Sequence, residues 1–98
     1  MKYRNVKTGG FDSKKEAKRH GELVLMEKLG LIRELETQVR YEIVPKVAKN
    51  RPAHYIADFV YWEGDQHVVE DCKGFRTPEY KLKKKLMLWR HGIEIRET

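Results

Sequence analysis

The sequence predicts one small domain of mixed helix and strand, with its elements in the order helix, three strands, helix, strand. Three observations support this fold class. An apolar stripe at helical spacing follows Ser13, two strand-like runs flank a short polar loop at residues 63–66, and a second helix start stands at Thr77-Pro78-Glu79. We therefore expect an α/β or α+β fold in which helices pack against a small mixed sheet.

The first helix is predicted over residues 13–29. Ser13 is a suitable N-cap, Glu16 stands three residues later as in a capping box, and Gly30 is placed to end the helix. Because glycine weakens a helix, we expect Gly21 to permit close packing against the sheet. The apolar stripe consists of Ala17, Gly21, Val24, Leu25 and Leu29.

The first strand is predicted over residues 38–44, where apolar and polar residues alternate. Val39, Tyr41 and Ile43 are expected to face inward. Pro45 follows directly and should end the strand.

The next two strands are predicted at residues 54–62 and 67–73, joined as an antiparallel hairpin by the polar loop at 63–66. The first of them is apolar on both faces, as in a central strand, and only Asp58 breaks the pattern. Strict alternation gives Asp58 the face of Ile56, Val60 and Trp62, and it gives the other face to Tyr55, Ala57, Phe59 and Tyr61.

The last two elements are a helix and a short strand. Thr77 should cap the helix, Pro78 occupies its first position, and His91-Gly92 should end it. Residues 93–95 then form the last strand. The helix carries one apolar side, as a helix packed against a sheet should, formed by Leu82, Leu86 and Trp89.

Composition limits the class of protein. A chain of 98 residues fits one domain with a modest core, and 37% charged residues require a highly charged surface. The single cysteine rules out an intramolecular disulfide, as expected in a reducing cytoplasm. No apolar run approaches the roughly 20 residues that would span a bilayer. We therefore expect a cytoplasmic protein that does not enter membranes.

The most informative residues are Asp58, Asp71 and Lys73. Asp71 and Lys73 share a face of the third predicted strand, and the hairpin can bring Asp58 beside Asp71. Two adjacent carboxylates repel each other unless a cation lies between them. Ligands that are all oxygen favour Mg²⁺, Mn²⁺ or Ca²⁺. These residues are therefore a candidate site for metal-assisted phosphodiester hydrolysis, with Lys73 near the attacking water or the phosphate.

Simpler interpretations remain open for each residue. Asp71 and Lys73 are compatible with an ordinary ion pair on a solvated strand. Glu70 should point to the opposite face and be structural. Gln38 could orient the lysine or the attacking water, or it could be a solvated side chain. His20 could contact a phosphate, or it could be an ordinary surface residue.

The whole chain has a formal net charge of +6. Its basic residues are concentrated after the candidate site and in the loop before residue 54. Such a surface should contact backbone phosphates with little reading of sequence. The residues expected to contact DNA are Lys49, Arg51, Arg76, Lys81, Lys84 and Lys85.

The chain also resembles a known family. The element order αβββαβ, with an acid on the first helix, an aspartate on the second strand and Asp-x-Lys on the third, is similar to the core of the PD-(D/E)XK nuclease superfamily. The phrases FDSKKEA, YIADFVY, VVEDCKGFRTPEYKLKKKL and HGIEI resemble a small group of phage and prophage proteins assigned to that superfamily.

The resemblance implies a role for each matching residue. Asp58 and Asp71 would bind Mg²⁺ or Mn²⁺, the backbone carbonyl of Cys72 would add a ligand, and Lys73 would be the catalytic lysine. Ala57 stands where the superfamily usually has proline. Glu16 would match a metal-binding helix glutamate, although the capping box explains it equally well.

The expected function is a Mg²⁺-dependent DNA endonuclease that acts in the bacterial host of a phage or prophage. So short a chain has no room for a separate recognition domain, which favours a homodimer selective for branched DNA, such as a Holliday junction resolvase. The alternatives are a general or nicking endonuclease, a non-catalytic DNA-binding protein with a nuclease fold, and an RNA-processing nuclease.

Overall fold

The computed structural model describes residues 13–73 and 75–98. These residues form a mixed α+β fold with one four-stranded sheet in the order β1-β2-β3-β4. β1 and β3 each pair antiparallel with β2, whereas β4 runs parallel to β3. The predicted order αβββαβ is confirmed. The elements are α1 (Lys14–Lys28), β1 (Arg33–Val44), β2 (Ala53–Glu63), β3 (Gln66–Asp71), α2 (Pro78–His91) and β4 (Arg96–Glu97).

α1 begins and ends as predicted but faces the sheet differently. The Ser13 hydroxyl accepts a hydrogen bond from the Glu16 N–H, and Gly30 has a positive φ of 79° just after the helix. The buried residues of the helix are Glu16 and Leu23, so the predicted stripe is wrong for Leu25 and Leu29, which are exposed. Gly21 lies in open space and makes no close packing contact with the described residues.

α2 also has the predicted ends and a different buried face. Thr77 caps it by accepting a hydrogen bond from the Tyr80 N–H, and Gly92 closes it with φ 67°. Tyr80 and Met87 are its buried residues. The predicted apolar side is therefore wrong for Leu82 and Trp89. Leu86 is only partly buried, and the two most exposed apolar residues of this helix are Leu82 and Trp89, at 58% and 78%.

The sheet carries an apolar cluster on each face. Tyr55 and Ala57 of β2 belong to the cluster that contains Met87 of α2, called here the α2 cluster. Phe59 and Tyr61 belong to the cluster that contains Leu23 of α1, called here the α1 cluster. The prediction that these four side chains share one face is wrong. The change of face falls at Asp58, and Gln38, which the register places opposite it in β1, has a left-handed φ of 54°. A backbone outside the extended region breaks the two-residue alternation on which the prediction relied.

β2 is much longer than β3, and the two strands separate at the candidate site. Their last pair on this side is Phe59 with Glu70, whereas β1 and β2 stay paired as far as Val44 and Ala53. The end of the β1–β2 hairpin therefore extends beyond β3 as an arm, defined here as residues 39–57. The arm and β3 form a fork, with Asp58 and Asp71 the first residues beyond its closed end.

β4 begins one residue after the predicted last strand at 93–95. Ile95 is buried in the α2 cluster, and the pairing residues are Arg96 with Glu70 and Glu97 with Asp71. The end of the chain then continues beside β3, since the Thr98 N–H donates to the Asp71 carbonyl. This contact fixes the backbone of the residue that carries the candidate carboxylate.

Candidate active site

Asp58 and Asp71 face each other where β2 and β3 separate. One oxygen of Asp58, Oδ2, accepts a 2.9 Å hydrogen bond from the Cys72 N–H, which joins the two sides of the fork just beyond the last strand pair. Because this hydrogen bond brings Asp58 to the residue next to Asp71, the predicted approach of the two aspartates is confirmed.

Asp71 is the most constrained of the candidate residues. It is only 2% exposed, and its Oδ2 accepts a 2.5 Å hydrogen bond from the buried phenol of Tyr55. Its other oxygen, Oδ1, is buried and has no hydrogen bond from any described residue, although Lys73 Nζ lies 3.3 Å away. Buried polar atoms are nearly always hydrogen-bonded, so a buried carboxylate oxygen that has an ion pair with Lys73 but no hydrogen bond indicates a place for a further ligand or cation.

Contacts of its side chain and of its backbone hold Lys73 in place. Its ammonium group lies 4.5 Å from the centre of the Tyr80 ring, its N–H donates to the Thr98 carbonyl, and its own carbonyl accepts a 2.8 Å hydrogen bond from Lys15 Nζ. Asp71 and Lys73 thus form an ion pair in a buried fork. The alternative of an ion pair on a solvated strand does not fit the burial of Asp71.

Glu16 reaches the same region from α1. It is 8% exposed, and its Oε2 accepts a 2.9 Å hydrogen bond from the side-chain amide of Gln38. Its charge contributes to the raised pKa of Asp58, so it lies close enough to interact with that carboxyl. The Ser13 cap is present as well, so the capping contact and the site position coexist. Gln38 supports Glu16 rather than the lysine.

The carboxyl group of Asp58 is not a simple anion near neutral pH. Burial raises its pKa to about 7, and the nearby carboxylates of Asp71 and Glu16 act in the same direction against the opposing hydrogen bond from Cys72. An acid that keeps its proton because of burial and neighbouring carboxylates releases that proton readily to a competing cation.

The donors fit a hard divalent cation that keeps much of its water. No set of three His, Cys, Asp or Glu side chains in residues 13–73 and 75–98 is arranged to enclose a metal ion. Mg²⁺ does not require such a set, because it is commonly held by one or two carboxylates, with water and substrate phosphate completing the shell. Asp58 and the Oδ1 oxygen of Asp71 meet this requirement. A ligand role for the Cys72 carbonyl stays a prediction.

The fork opens into a cleft of about 330 Å³, called here the site cleft. Its walls come from the arm, from the end of β3 and from the start of α2. The lining residues are Arg40, His54, Tyr55, Ile56, Asp58, Asp71, Lys73, Thr77, Glu79, Tyr80 and Lys83.

The family of the chain follows from a comparison with known proteins. Residues 1–97 match the family described as "Protein of unknown function (DUF1064)". The chain belongs to the DUF1064 family. No curated protein and no solved structure matches it significantly.

Several residues of the candidate site were not predicted from the sequence. Tyr55 and Tyr80 contact Asp71 and Lys73, and Arg40 and Lys83 add positive charge to the site cleft. One signal was available for Tyr55, since a tyrosine in an apolar central strand needs a hydrogen-bond partner when it is buried. Arg40 and Lys83 gave no such signal, because the sequence has many exposed cations.

Glu70 lies on the opposite face of the DUF1064 sheet, as predicted, and is fully buried. Arg19 donates two hydrogen bonds to its carboxylate, and Tyr61 and Thr98 donate one each. Burial alone would raise the pKa of Glu70, but these hydrogen bonds outweigh burial and hold the pKa below its ordinary value. The ring of His20 stacks on the ring of Phe59, with the ring centres 6.0 Å apart. This contact is a packing contact within the protein.

The residues predicted to contact DNA fall into two groups. Lys49 and Arg51 are exposed at the end of the arm, and Lys81 and Lys85 are exposed on α2. Arg76 and Lys84 instead bind Glu97, at 2.7 Å and 3.3 Å. Hydrogen bonds from Arg76 and Tyr80 lower the pKa of Glu97 to about 2, so this carboxylate offsets part of the charge of Arg76 and Lys84.

One further observation concerns membranes. Neither helix of the described DUF1064 residues combines the length and the apolar character needed to cross a bilayer.

Proposed function

We propose that this protein is a metal-dependent nuclease that hydrolyses phosphodiester bonds in DNA. The single observation that supports this most strongly is the geometry at Asp71. Its Oδ1 is buried without a hydrogen bond from the described residues, beside Asp58 and 3.3 Å from Lys73 Nζ. Two converging carboxylates and an adjacent ammonium are the groups that metal-assisted phosphodiester hydrolysis needs.

Each residue would have a separate role. Asp58 and Asp71 would hold Mg²⁺ or Mn²⁺, with Glu16 close by and oriented by Gln38. A divalent ion held there would stabilise charge on the phosphorane-like transition state and lower the pKa of a bound water. Tyr55 would keep Asp71 in one orientation. Lys73 would donate a hydrogen bond to the attacking water or to a phosphate oxygen.

A purely binding role explains these features less well. Phosphate is repelled by carboxylates, so a protein that only binds DNA would gain nothing from burying Asp58 against Asp71. Burial of such a pair also costs stability, because the pKa of Asp58 is raised to about 7. Groups that are costly in the free protein and converge in a cleft are typical of functional sites.

The proposed substrate is branched DNA, and the proposed setting is the cytoplasm of a bacterial host. The cations Arg40, Lys73 and Lys83 line the site cleft, although Lys73 forms an ion pair with Asp71 and Lys83 with Glu79. Such charges bind backbone phosphates without reading bases. A homodimer would present two sites for symmetrical cutting of a junction. The number of subunits can be measured by sedimentation, with and without a four-way junction.

The activity can be tested with a panel of labelled nucleic acids. Purified protein with Mg²⁺ should cut one or more of four-way junction, splayed-arm, duplex and single-stranded DNA, and chelation with EDTA should stop the reaction. Lys73→Ala should lower the rate by at least about a hundredfold and leave binding largely intact, because the lysine acts in the transition state.

Lys18→Ala is the matched control, since Lys18 is an exposed lysine of α1. This variant should cut as fast as the parent. If Lys73→Ala also cuts at the parental rate, the assignment of the site is wrong. Cleavage of RNA alone would move the substrate class to RNA.

A further inference from the structure

A second cleft, called here the far cleft, lies on the other flank of α2 and has a volume of about 300 Å³. Tyr80 lines both clefts, which places the start of α2 between them. Glu79 and Lys83, four residues apart, face the site cleft. Lys81 and Lys85, also four residues apart, face the far cleft.

The far cleft presents positive charge that the protein itself does not neutralise. Lys81 and Lys85 are exposed, and neither forms an ion pair with any residue in 13–73 or 75–98. Like charges four residues apart on a helix repel each other. Arg76 and Lys84 add to this wall, partly offset by Glu97, and Glu94 is the acid in the lining. Tyr80 and Leu88 make much of the rest of the lining apolar, so the cations favour an anion that carries more than one charge and has apolar groups beside them.

An apolar ridge runs along α2 on the side away from the sheet. It consists of Leu82, 58% exposed, and Trp89, 78% exposed. The two residues are seven positions apart and so point to the same side of the helix. Exposed tryptophan next to cationic grooves is typical of proteins that stack on unpaired bases while binding the backbone. A fully paired duplex offers no unstacked base to this ridge.

We propose that α2 separates two strands of nucleic acid at a branch point. The strand to be cut lies in the site cleft, the backbone of the other strand lies along Lys81 and Lys85 in the far cleft, and an unpaired base stacks on Trp89. That the nucleic-acid strand in the site cleft is the one to be cut rests on the proposed nuclease function. It adds a second binding surface and gives a physical reason for selectivity toward forks.

Binding measurements without metal test this separately from cleavage. In EDTA, fluorescence anisotropy would compare a splayed-arm DNA with a fully paired duplex of the same length. The parent protein should bind the splayed-arm DNA about tenfold more tightly, as expected for a stacked base. Lys81→Glu with Lys85→Glu should abolish this preference and reduce the slope of log affinity against log salt by about 1 for each phosphate that the variant no longer neutralises.

The control carries the same change of charge on another element. Lys18→Glu with Lys28→Glu reverses two exposed lysines of α1 and should keep the preference for the splayed-arm DNA. Trp89→Ala gives a second, independent variant. It should lose the preference and also the quenching of tryptophan fluorescence by unpaired bases, while circular dichroism shows that each variant is folded.

The outcomes distinguish this proposal from the proposed function. Loss of fork preference in the Lys81 and Lys85 variant supports the proposal even if the parent protein cuts nothing. Retention of the preference in that variant and in Trp89→Ala overturns it, even if cleavage is confirmed. A parent dimer that Trp89→Ala converts to a monomer with unchanged fork binding also overturns it, since the ridge would then be a contact between subunits.

Discussion

At Asp71, one carboxylate oxygen accepts a hydrogen bond from Tyr55, and the other forms an ion pair with Lys73 but accepts no hydrogen bond from the described residues. Tyr55 donates to Oδ2, and burial together with this hydrogen bond raises the pKa of the phenol, so Tyr55 stays a donor over the working range of pH. The orientation of Asp71 therefore depends on Tyr55. Removing the phenolic oxygen would let the carboxylate turn.

Tyr55→Phe tests this orientation. Loss of the hydrogen bond should weaken Mn²⁺ binding and slow cleavage, each by about tenfold to a hundredfold, as for other groups that orient metal ligands. Mn²⁺ binding can be followed by electron paramagnetic resonance. Tyr41→Phe is the control, because Tyr41 lies directly opposite Tyr55 on β1 in the same cluster. Equal Mn²⁺ affinity in both variants would contradict an orienting role.

Asp58→Asn tests how much the buried carboxyl group of Asp58 lowers the free energy of unfolding. The pKa of Asp58 is raised from 3.8 to about 7, so between these values the folded protein keeps a proton that the unfolded chain releases. The contribution of Asp58 to stability thus falls as pH rises through this window. Asparagine can still accept the Cys72 hydrogen bond and lacks the charge.

The expected result is a gain of about 1–2 kcal/mol in unfolding free energy for Asp58→Asn at pH 8 and little gain at pH 4. Urea unfolding in EDTA at several pH values measures it. A variant that is destabilised equally at both pH values would show that Asp58 is a structural residue and not a strained one.

At the scale of elements, the fork between the arm and β3 decides where the site lies. β2 continues past β3, and the apolar side of the arm packs on α2, with the change of buried face opposite the left-handed residue Gln38. Asp58 lies at the turning point. The arm also carries Lys49 and Arg51 to its end, away from the carboxylates, where they can contact a backbone that leaves the site cleft.

Lys49→Ala with Arg51→Ala should therefore weaken DNA binding without changing the rate of cleavage at saturating DNA. Removing two phosphate contacts should lower the slope of log affinity against log salt by about 2. Titrations at several salt concentrations give the slope. Lys18→Ala with Lys28→Ala is the matched pair on α1, and an equal loss of affinity in that pair would mean that only net charge matters.

At the scale of the whole molecule, Glu70 connects elements that are distant in sequence. Arg19 comes from α1, Tyr61 from β2 and Thr98 from the end of the chain. The carboxylate is fully buried, and its lowered pKa means that its stabilising effect is present above its ordinary pKa and disappears as pH falls below it.

Glu70→Ala should lower the unfolding free energy by about 3–5 kcal/mol, because the Arg19 guanidinium would lose its buried partner. Urea unfolding at pH 7 measures this loss. Glu22→Ala removes the other, exposed partner of Arg19 and should cost less than about 1 kcal/mol. Equal effects would show that the buried network contributes little.

The sequence by itself determined the order of the elements, the helix caps and the strand hairpin. These follow from local chemistry at Ser13, Thr77 and Gly92 and from the polar loop after β2. It also indicated that Asp58 and Asp71 would meet, because antiparallel pairing fixes which residues lie opposite each other. Local rules suffice where neighbours in sequence are the partners.

Only the tertiary structure decided which face each element buries and which groups complete the site. Periodicity assigned Leu82 and Trp89 to the core, yet Tyr80 and Met87 are buried instead, because the choice depends on the rotation of the helix against the sheet. The contact of Tyr55 with Asp71 joins residues 16 positions apart across diverging strands. Such contacts depend on strand twist and on how the helices dock against the sheet. Both are set by the free energy of the whole fold, and no local sequence pattern encodes them.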